Sequence, residues 1–254
     1  MNTIKAVFDY TFREHVRHKV WLSAALFGLV LLAGGLVASV LAQDERARMM
    51  LDLGLAANEL IALVMVVFLT VHLILQEIES RAVFLILTHP VRRWHYLLGR
   101  FLGTLAAVGL GMAAMGLVHW SLLKLLGWGG DGSYLLAWAC SLGKTAVMGS
   151  LALLLSLALT SEAAAMSFSV FFWILGHFSG EIRFVAEKSG NSFLRAALLA
   201  FSRAAPDFAH FNYRDAWHAG VPGPAWIAAA ALYAFGYSAA CFALSAQVFE
   251  QKEF

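Results

Sequence analysis

Charged side chains are scarce in this chain. Asp, Glu, Lys and Arg make up 13% of its 254 residues, whereas 61% of the residues are hydrophobic. An ordinary soluble domain is about a quarter charged, because its surface must face water. The net charge of +2 gives no indication of a nucleic-acid partner, and the only two cysteines, Cys140 and Cys241, lie in apolar stretches where we interpret them as packing residues. The composition therefore excludes an ordinary water-soluble domain and favours a membrane protein.

Long apolar runs occupy most of the chain. Six of them have about the 20 residues that an α-helix needs to cross a hydrocarbon core of about 30 Å. We therefore predict an all-α, polytopic membrane protein whose single transmembrane domain covers residues 1–254. The predicted spans are 20–42, 55–75, 101–123, 135–160, 163–178 and 225–248. The connection at 180–223 is the longest, and its apolar run at 193–201 predicts a further helix at the membrane interface.

The first 19 residues predict an amphipathic helix that lies on the membrane. Apolar residues, among them Phe8 and Phe12, recur at every fourth position, and a polar stripe that includes Arg13 and Arg17 runs beside them. Such a helix places its apolar face in the headgroup region of the bilayer. The lipid bilayer is therefore one expected partner.

The connection at 76–100 is too charged for a span and too apolar for a plain loop. We predict a short helix carrying Glu77, Glu79 and Arg81, followed by a turn and a second helix that leads into the third span. The turn is expected at Thr88–Pro90, because proline disfavours a helical conformation at the residue before it.

The distribution of Lys and Arg over the connections bears on orientation. Nine of them lie on the side of the two termini and eight on the other side, or three if the 180–223 loop is left out. Cytoplasmic connections carry the excess of basic residues. The counts favour termini inside the cell.

Several short motifs follow one another along the chain. They are Asp52-Leu-Gly-Leu55, Glu77-Ile-Glu79-Ser-Arg81, Thr88-His-Pro90-Val-Arg92-Arg93, Leu98-Gly-Arg100-Phe-Leu-Gly103, Gly176-His177, Pro206-Asp-Phe-Ala-His-Phe-Asn212 and the tail Phe249-Glu-Gln-Lys-Glu-Phe254. This ordered set resembles the ABC type-2 transporter permeases, most closely the branch named for multi-copper enzyme maturation.

The resemblance implies the permease subunit of an ATP-driven exporter that alternates between inward and outward shapes. The expected partners are a separate ATPase subunit, which would bind ATP and Mg, and a second copy of the permease. No enzymatic site and no cofactor are expected in the chain itself. The resemblance further implies the bacterial inner membrane, with both termini and residues 76–100 in the cytoplasm and the 180–223 loop outside, where it could meet an extracytoplasmic partner protein. The residues expected to couple to the ATPase are Glu77, Glu79, Arg81, Pro90, Arg92 and Arg93.

Some residues inside the spans are candidates for the pathway. A charge such as Lys144 is costly at mid-membrane and usually faces a cavity or a partner, although near the end of a span it can also snorkel to the interface. The aromatic residues Phe171, Phe172 and Trp173 of the fifth span either line an apolar route near a dimer axis or contact lipid.

No metal site is predicted, but two sets of residues raise the question. Met112, Met115 and His119 share one helical face, and thioether and imidazole groups suit copper, although a Met stripe is more often packing. His119 and His177 are both expected near the outer face. A rival hypothesis is therefore a membrane-embedded metal- or haem-binding protein. A third is a non-transporting anchor for an extracytoplasmic assembly on the 180–223 loop. The substrate does not follow from the sequence.

Overall fold

The computed structural model describes residues 3–18, 20–41, 46–80, 92–213 and 222–251, and within these ranges it contains helices and no strands. The described residues form nine α-helices and one 3-10 helix, in the order α1 (Thr3–His18), α2 (Val20–Leu41), α3 (Arg46–Glu79), α4 (Arg93–Leu125), α5 (Asp131–Ala158), α6 (Glu162–His177), α7 (Ser179–Lys188), α8 (Ser192–Ala204), the 3-10 helix (Phe208–Phe211) and α9 (Pro224–Gln251). The predicted all-α, polytopic architecture is confirmed.

Four of the described helices, α3, α4, α5 and α9, are each long and apolar enough to cross a membrane. Two further pairs reach that length only together, and both are bent. The pair Ile4–Arg17 and Leu22–Val37 bends by 43°, and the pair Glu162–His177 and Ser179–Lys188 bends by 67°. The described part of the chain thus provides four to six crossings, and the six predicted runs correspond to the upper number.

The core lies between α3, α4 and α5. Helix α5 packs against both α3 and α9, and α4 packs against α3 and α1. Large apolar side chains of these helices are fully buried, for example Leu69, Met112 and Met148. Most of the spanning part of α9, by contrast, remains uncovered by the chain. The bundle therefore has a mainly apolar core and a lateral face available to lipid.

Helix α3 is longer than the second predicted span. It has 34 residues, about 51 Å at 1.5 Å per residue, and it therefore extends beyond a hydrocarbon core of about 30 Å. Glu77 and Glu79 lie in its last turn and not on a separate short helix, so that detail of the prediction is wrong. The reason is that no glycine or proline interrupts the chain between Leu75 and Ser80, and glutamate is a good helix former.

The connection after α6 contains more helix than expected. Helix α8 covers the predicted interfacial run at 193–201, but α7 was not predicted. Helix α6 has 16 residues, about 24 Å, and ends at His177 before the hydrocarbon thickness is reached.

Candidate coupling site

A buried arginine joins three helices at the end of the bundle where α3 meets α4. Arg100, in the second turn of α4, is only 5% exposed. Its guanidinium group forms a salt bridge with Glu77 of α3 and donates hydrogen bonds to Glu14 Oε2 (3.2 Å) and Thr11 Oγ1 (3.0 Å) of α1. The ionic group is thus satisfied from two neighbouring helices, as a buried charge must be.

Tyr96 completes this network, which we call the Arg100 network (Thr11, Glu14, Glu77, Tyr96 and Arg100). Its hydroxyl donates to Glu77 Oε2 and accepts a hydrogen bond from Arg100 Nε at 3.2 Å. The Glu77 side chain is only 12% exposed. Glu77 is therefore part of the packed interior at this end, whereas its neighbour Glu79 is exposed to solvent.

Two glycines bring α1 close enough to α4 for these contacts. A Cβ atom at Gly99 would lie 2.8 Å from Val7 Cβ, and one at Gly103 would lie 2.8 Å from Thr11 Cβ and 3.0 Å from the Phe8 carbonyl oxygen. Arg100 stands between the two glycines in sequence. The motif at 98–103 thus combines close helix packing with the charge that fixes it.

The C-terminal helix reaches the same end. Arg93 Nη1 donates to the carbonyl oxygens of Phe249 (3.2 Å) and Glu250 (3.1 Å) in the last turn of α9. A cation at the C-terminus of a helix is favourable for the unpaired carbonyl groups there. Arg92, next to it, is exposed. The two other predicted coupling residues, Arg81 and Pro90, lie outside the described residues.

The predicted interface residues of α1 divide by face. The rings of Phe8 and Phe12 stack with their centroids 6.0 Å apart, and both side chains are partly buried. Arg13 and Arg17 are exposed. This division fits a helix that packs on α4 and turns its basic groups outward.

A second charged cluster lies inside the bundle and includes a residue that sequence reasoning missed. Lys144 Nζ of α5 forms a salt bridge of 3.0 Å with Glu59 Oε1 of α3, and Ser141 Oγ donates to Glu59 Oε2 at 3.3 Å. His177 Nε2, at the end of α6, is 3.6 Å from Glu59 Oε1. Lys144 thus faces a partner and does not snorkel. The available signal was Glu59 itself, an acidic residue inside the second apolar run.

Comparison with known families gives this arrangement its context. The family model described as ABC-2 family transporter protein matches residues 37–254. The chain belongs to the ABC-2 family of transporter proteins. It is therefore the transmembrane permease component of an ABC transporter, a multi-pass membrane protein that works with a partner ATPase subunit. No curated protein matches the sequence.

Three of the residues that raised the question of metal, Met112, Met115 and His119, lie in the core of this ABC-2 permease. His119 is fully buried, its Nε2 lies 3.0 Å from the Met50 carbonyl oxygen and its Nδ1 lies 3.2 Å from the Tyr134 hydroxyl. Met112 and Met115 are also fully buried. Gly54 makes room for the imidazole, since a Cβ there would be 2.1 Å from His119 Nε2. In the described ranges no three His, Cys, Asp or Glu side chains are grouped as metal ligands.

The aromatic residues of α6 differ in their exposure to solvent. Phe171 is 49% exposed, whereas Phe172 and Trp173 are partly buried. The Phe172 ring stacks on Phe201 of α8 at 6.3 Å, and the Trp173 ring contacts His177 at 4.7 Å. Phe172 thus connects α6 to α8, whereas the contact between Trp173 and His177 lies within α6.

The ABC-2 permease also has a large apolar cavity between α4, α5 and α9. Its volume is about 1030 Å³, and it extends from Phe8 of α1 to Trp226 at the start of α9. Its walls are mostly small and aliphatic side chains, such as Leu105, Ala146 and Ala234. None of the predicted pathway residues lies in its wall.

Proposed function

We propose that this ABC-2 permease exports a substrate from the bacterial cytoplasm, driven by ATP hydrolysis on a separate subunit. In this proposal two copies of the chain enclose the pathway in the inner membrane, and both termini face the cytoplasm. The ATPase subunits bind at the end that holds the Arg100 network. Their closure and opening switch the permease between inward and outward shapes.

The observation that carries the proposal is the Arg100 network. A subunit that uses ATP chemistry performed elsewhere needs a cytoplasmic projection that transmits a push to its spans. At this end α1, α3 and α4 share one buried ionic group, and Arg93 adds the end of α9. A force on the connection at 80–91 between α3 and α4, which we call the tip, would therefore move these helices together, as in rigid-body switching.

The placement of exposed charges supports the cytoplasmic assignment. The exposed Arg13, Arg17 and Arg92 all lie on the elements that meet at this end. Basic residues next to spans are enriched on the cytoplasmic side. Exposed Glu79 and Arg92 flank the tip and are the described charges best placed to contact the ATPase.

The test uses the permease purified together with its ATPase subunit. We expect Glu79→Lys and Arg92→Glu to lower the ATPase activity of the complex several-fold, because each reverses a charge at the proposed contact, while leaving the thermal stability of the permease unchanged. Glu181→Lys is the matched control, since Glu181 is an exposed carboxylate in α7, far along the chain from this tip. Activity that survives both reversals at the level of the control would contradict the proposed contact.

A further inference from the structure

The charged cluster of Glu59, Lys144 and His177 lies at the C-terminal end of α6. His177 is the last residue of α6, and the chain bends by 67° between α6 and α7. Its side chain is 35% exposed, whereas those of Glu59 and Lys144 are 12% and 11% exposed. The imidazole therefore connects a buried ion pair with the outside of the bundle.

The hydrogen bonds of His177 define its tautomer. Nδ1 lies 3.0 Å from the carbonyl oxygen of Trp173, one turn earlier in α6. A carbonyl oxygen only accepts, so Nδ1 carries the hydrogen. In the neutral ring Nε2 then has a lone pair and no hydrogen, and this lone pair faces the Glu59 carboxylate at 3.6 Å. Two acceptors in that position repel each other.

A proton on Nε2 of His177 turns this repulsive contact with Glu59 into an attractive one. The imidazolium then donates from Nε2 to Glu59 and forms an ion pair between α6 and α3. Glu59 can accept this bond together with the bonds from Lys144 and Ser141, since an ionised carboxylate has about four acceptor positions. The salt bridge between Glu59 and Lys144 does not involve His177.

The other charged groups near this end of α6 are paired among themselves. Asp207, just before the 3-10 helix, forms a salt bridge of 2.5 Å with Arg183 of α7, and His210 Nδ1 lies 3.8 Å from the same carboxylate. The ring of Phe208, between these groups and the cluster, lies 5.0 Å from the His177 ring. Glu59 is thus the carboxylate that His177 faces directly.

We propose that His177, Glu59 and Lys144 form a proton-binding site that fastens the end of α6 to α3. With the proton bound, the bend between α6 and α7 is held against α3 and α5. Without it, the end of α6 is released. Proton relays and sensors within membrane spans are built from such histidine and carboxylate groups. The proposal does not depend on the direction of transport or on the contact with the ATPase.

Hydrogen exchange of the complex of permease and ATPase in lipid nanodiscs tests the site. Exchange of peptides covering 173–188 is compared between wild type and His177→Gln at about pH 5.5 and about pH 8. Comparison at one pH removes the intrinsic pH dependence of exchange. At the lower pH we expect about tenfold slower exchange in the wild type than in the variant, the equivalent of one charged hydrogen bond, and no difference at the higher pH.

Two further variants separate the site from its surroundings. The double variant Glu59→Gln with Lys144→Gln removes both charges and keeps a hydrogen-bonded pair. Its folding is checked by co-purification with the ATPase. We expect this variant to abolish the pH effect. His210→Gln should retain the effect. A wild type that exchanges like His177→Gln at both pH values, an effect that persists in the double variant, or an effect lost in His210→Gln would each overturn the proposal.

Discussion

The guanidinium group of Arg100 lies against the carboxylate of Glu77, and through this pair the start of α4 holds the last turn of α3. Arg100 is also bound to Thr11 and Glu14 of α1. Helix α1 and the two long helices α3 and α4 therefore depend on one side chain. A motion that separated them would have to expose or strand a buried charge, so we expect them to move as one unit.

Removal of Arg100 should be strongly destabilising. Among the described residues, Arg100→Met leaves the buried Glu77 carboxylate with the Tyr96 hydroxyl as its side-chain partner. Breaking a buried ion pair in this way costs about 3–5 kcal/mol. Thermal unfolding of the purified permease should therefore shift well below that of the wild type. Arg100→Met combined with Glu77→Gln should recover part of the loss, and Arg13→Met, at an exposed position, should change little. If the single and double variants were equally stable, the pair would not have the role assigned to it.

The effect on stability of replacing a glycine of α4 by alanine should depend on whether that glycine contacts α1. A Cβ at Gly103 would lie 3.0 Å from the backbone oxygen of Phe8, whereas at Gly109 the nearest atom is Leu142 Cδ1 at 3.7 Å. Gly103→Ala should destabilise the permease by about 1–3 kcal/mol through overpacking. Gly109→Ala should be neutral or stabilising, because alanine favours the helix by up to about 1 kcal/mol. Melting temperatures of the two variants provide the measurement, and equal effects would argue against close packing of α1.

Much of the architecture follows from the sequence, for physical reasons visible in particular residues. The apolar runs around Leu69 and Met148 are long because a helix must be apolar over the thickness of the hydrocarbon core. The spacing of four residues between Phe8 and Phe12 indicates a helix with one apolar face. The partners of Arg100 and Lys144 could not be predicted. Which turn of α3 meets α4 or α5 depends on the packing of whole helices, and the spacing within one helix contains no information about it.

Packing also explains why glycines occur in the motifs on which the family resemblance rests. Gly54 is needed beside the His119 ring, and Gly176 lies under Phe208, where a Cβ would be 2.6 Å from the ring and 2.8 Å from the Pro206 carbonyl oxygen. The motif at Gly176-His177 and the motif at 206–212 are therefore two sides of the same contact. Sequence inspection identified the two motifs separately but not as a pair.

His119 should behave as a packing residue. His119→Leu leaves the Met50 carbonyl and the Tyr134 hydroxyl without this partner, and loss of such buried hydrogen bonds costs about 1–3 kcal/mol. We expect a lower melting temperature and the same metal content and absorption spectrum as in the wild type. Stoichiometric copper or a haem band in the wild type that disappeared in the variant would favour the rival metal-binding function.

The stability of the α7 region should depend on acid pH through Asp207. Burial alone would raise the pKa of Asp207, but hydrogen bonds from Ser179 and the Ala209 N–H, together with Arg183, hold that pKa below its ordinary value of 3.8. A carboxyl whose pKa is lower in the folded state stabilises the fold above that ordinary value, and the stabilisation is lost as the pH falls toward the folded value.

Asp207→Asn should therefore destabilise the permease by about 1–3 kcal/mol at neutral pH, and the difference from the wild type should shrink below about pH 4. Thermal unfolding across this pH range measures it. Asp131→Asn is the control, since the half-exposed Asp131 side chain pairs with Lys124 and Trp120 near the surface and its loss should have a much smaller effect. A difference independent of pH would show that the charge of Asp207 is not responsible.

The most direct test of the account is to determine which side of the membrane the tip between α3 and α4 faces, and whether the ATPase subunit covers it. A single cysteine is introduced by Ser80→Cys, or by Asn191→Cys between α7 and α8, after the buried Cys140 and Cys241 are replaced by alanine. Both sites are exposed. With a membrane-impermeant thiol reagent, we predict that Ser80→Cys is labelled only in inverted vesicles and is protected when the ATPase subunit binds, whereas Asn191→Cys is labelled only in intact cells with a permeabilised outer envelope. Labelling of Ser80→Cys in those cells would contradict the account.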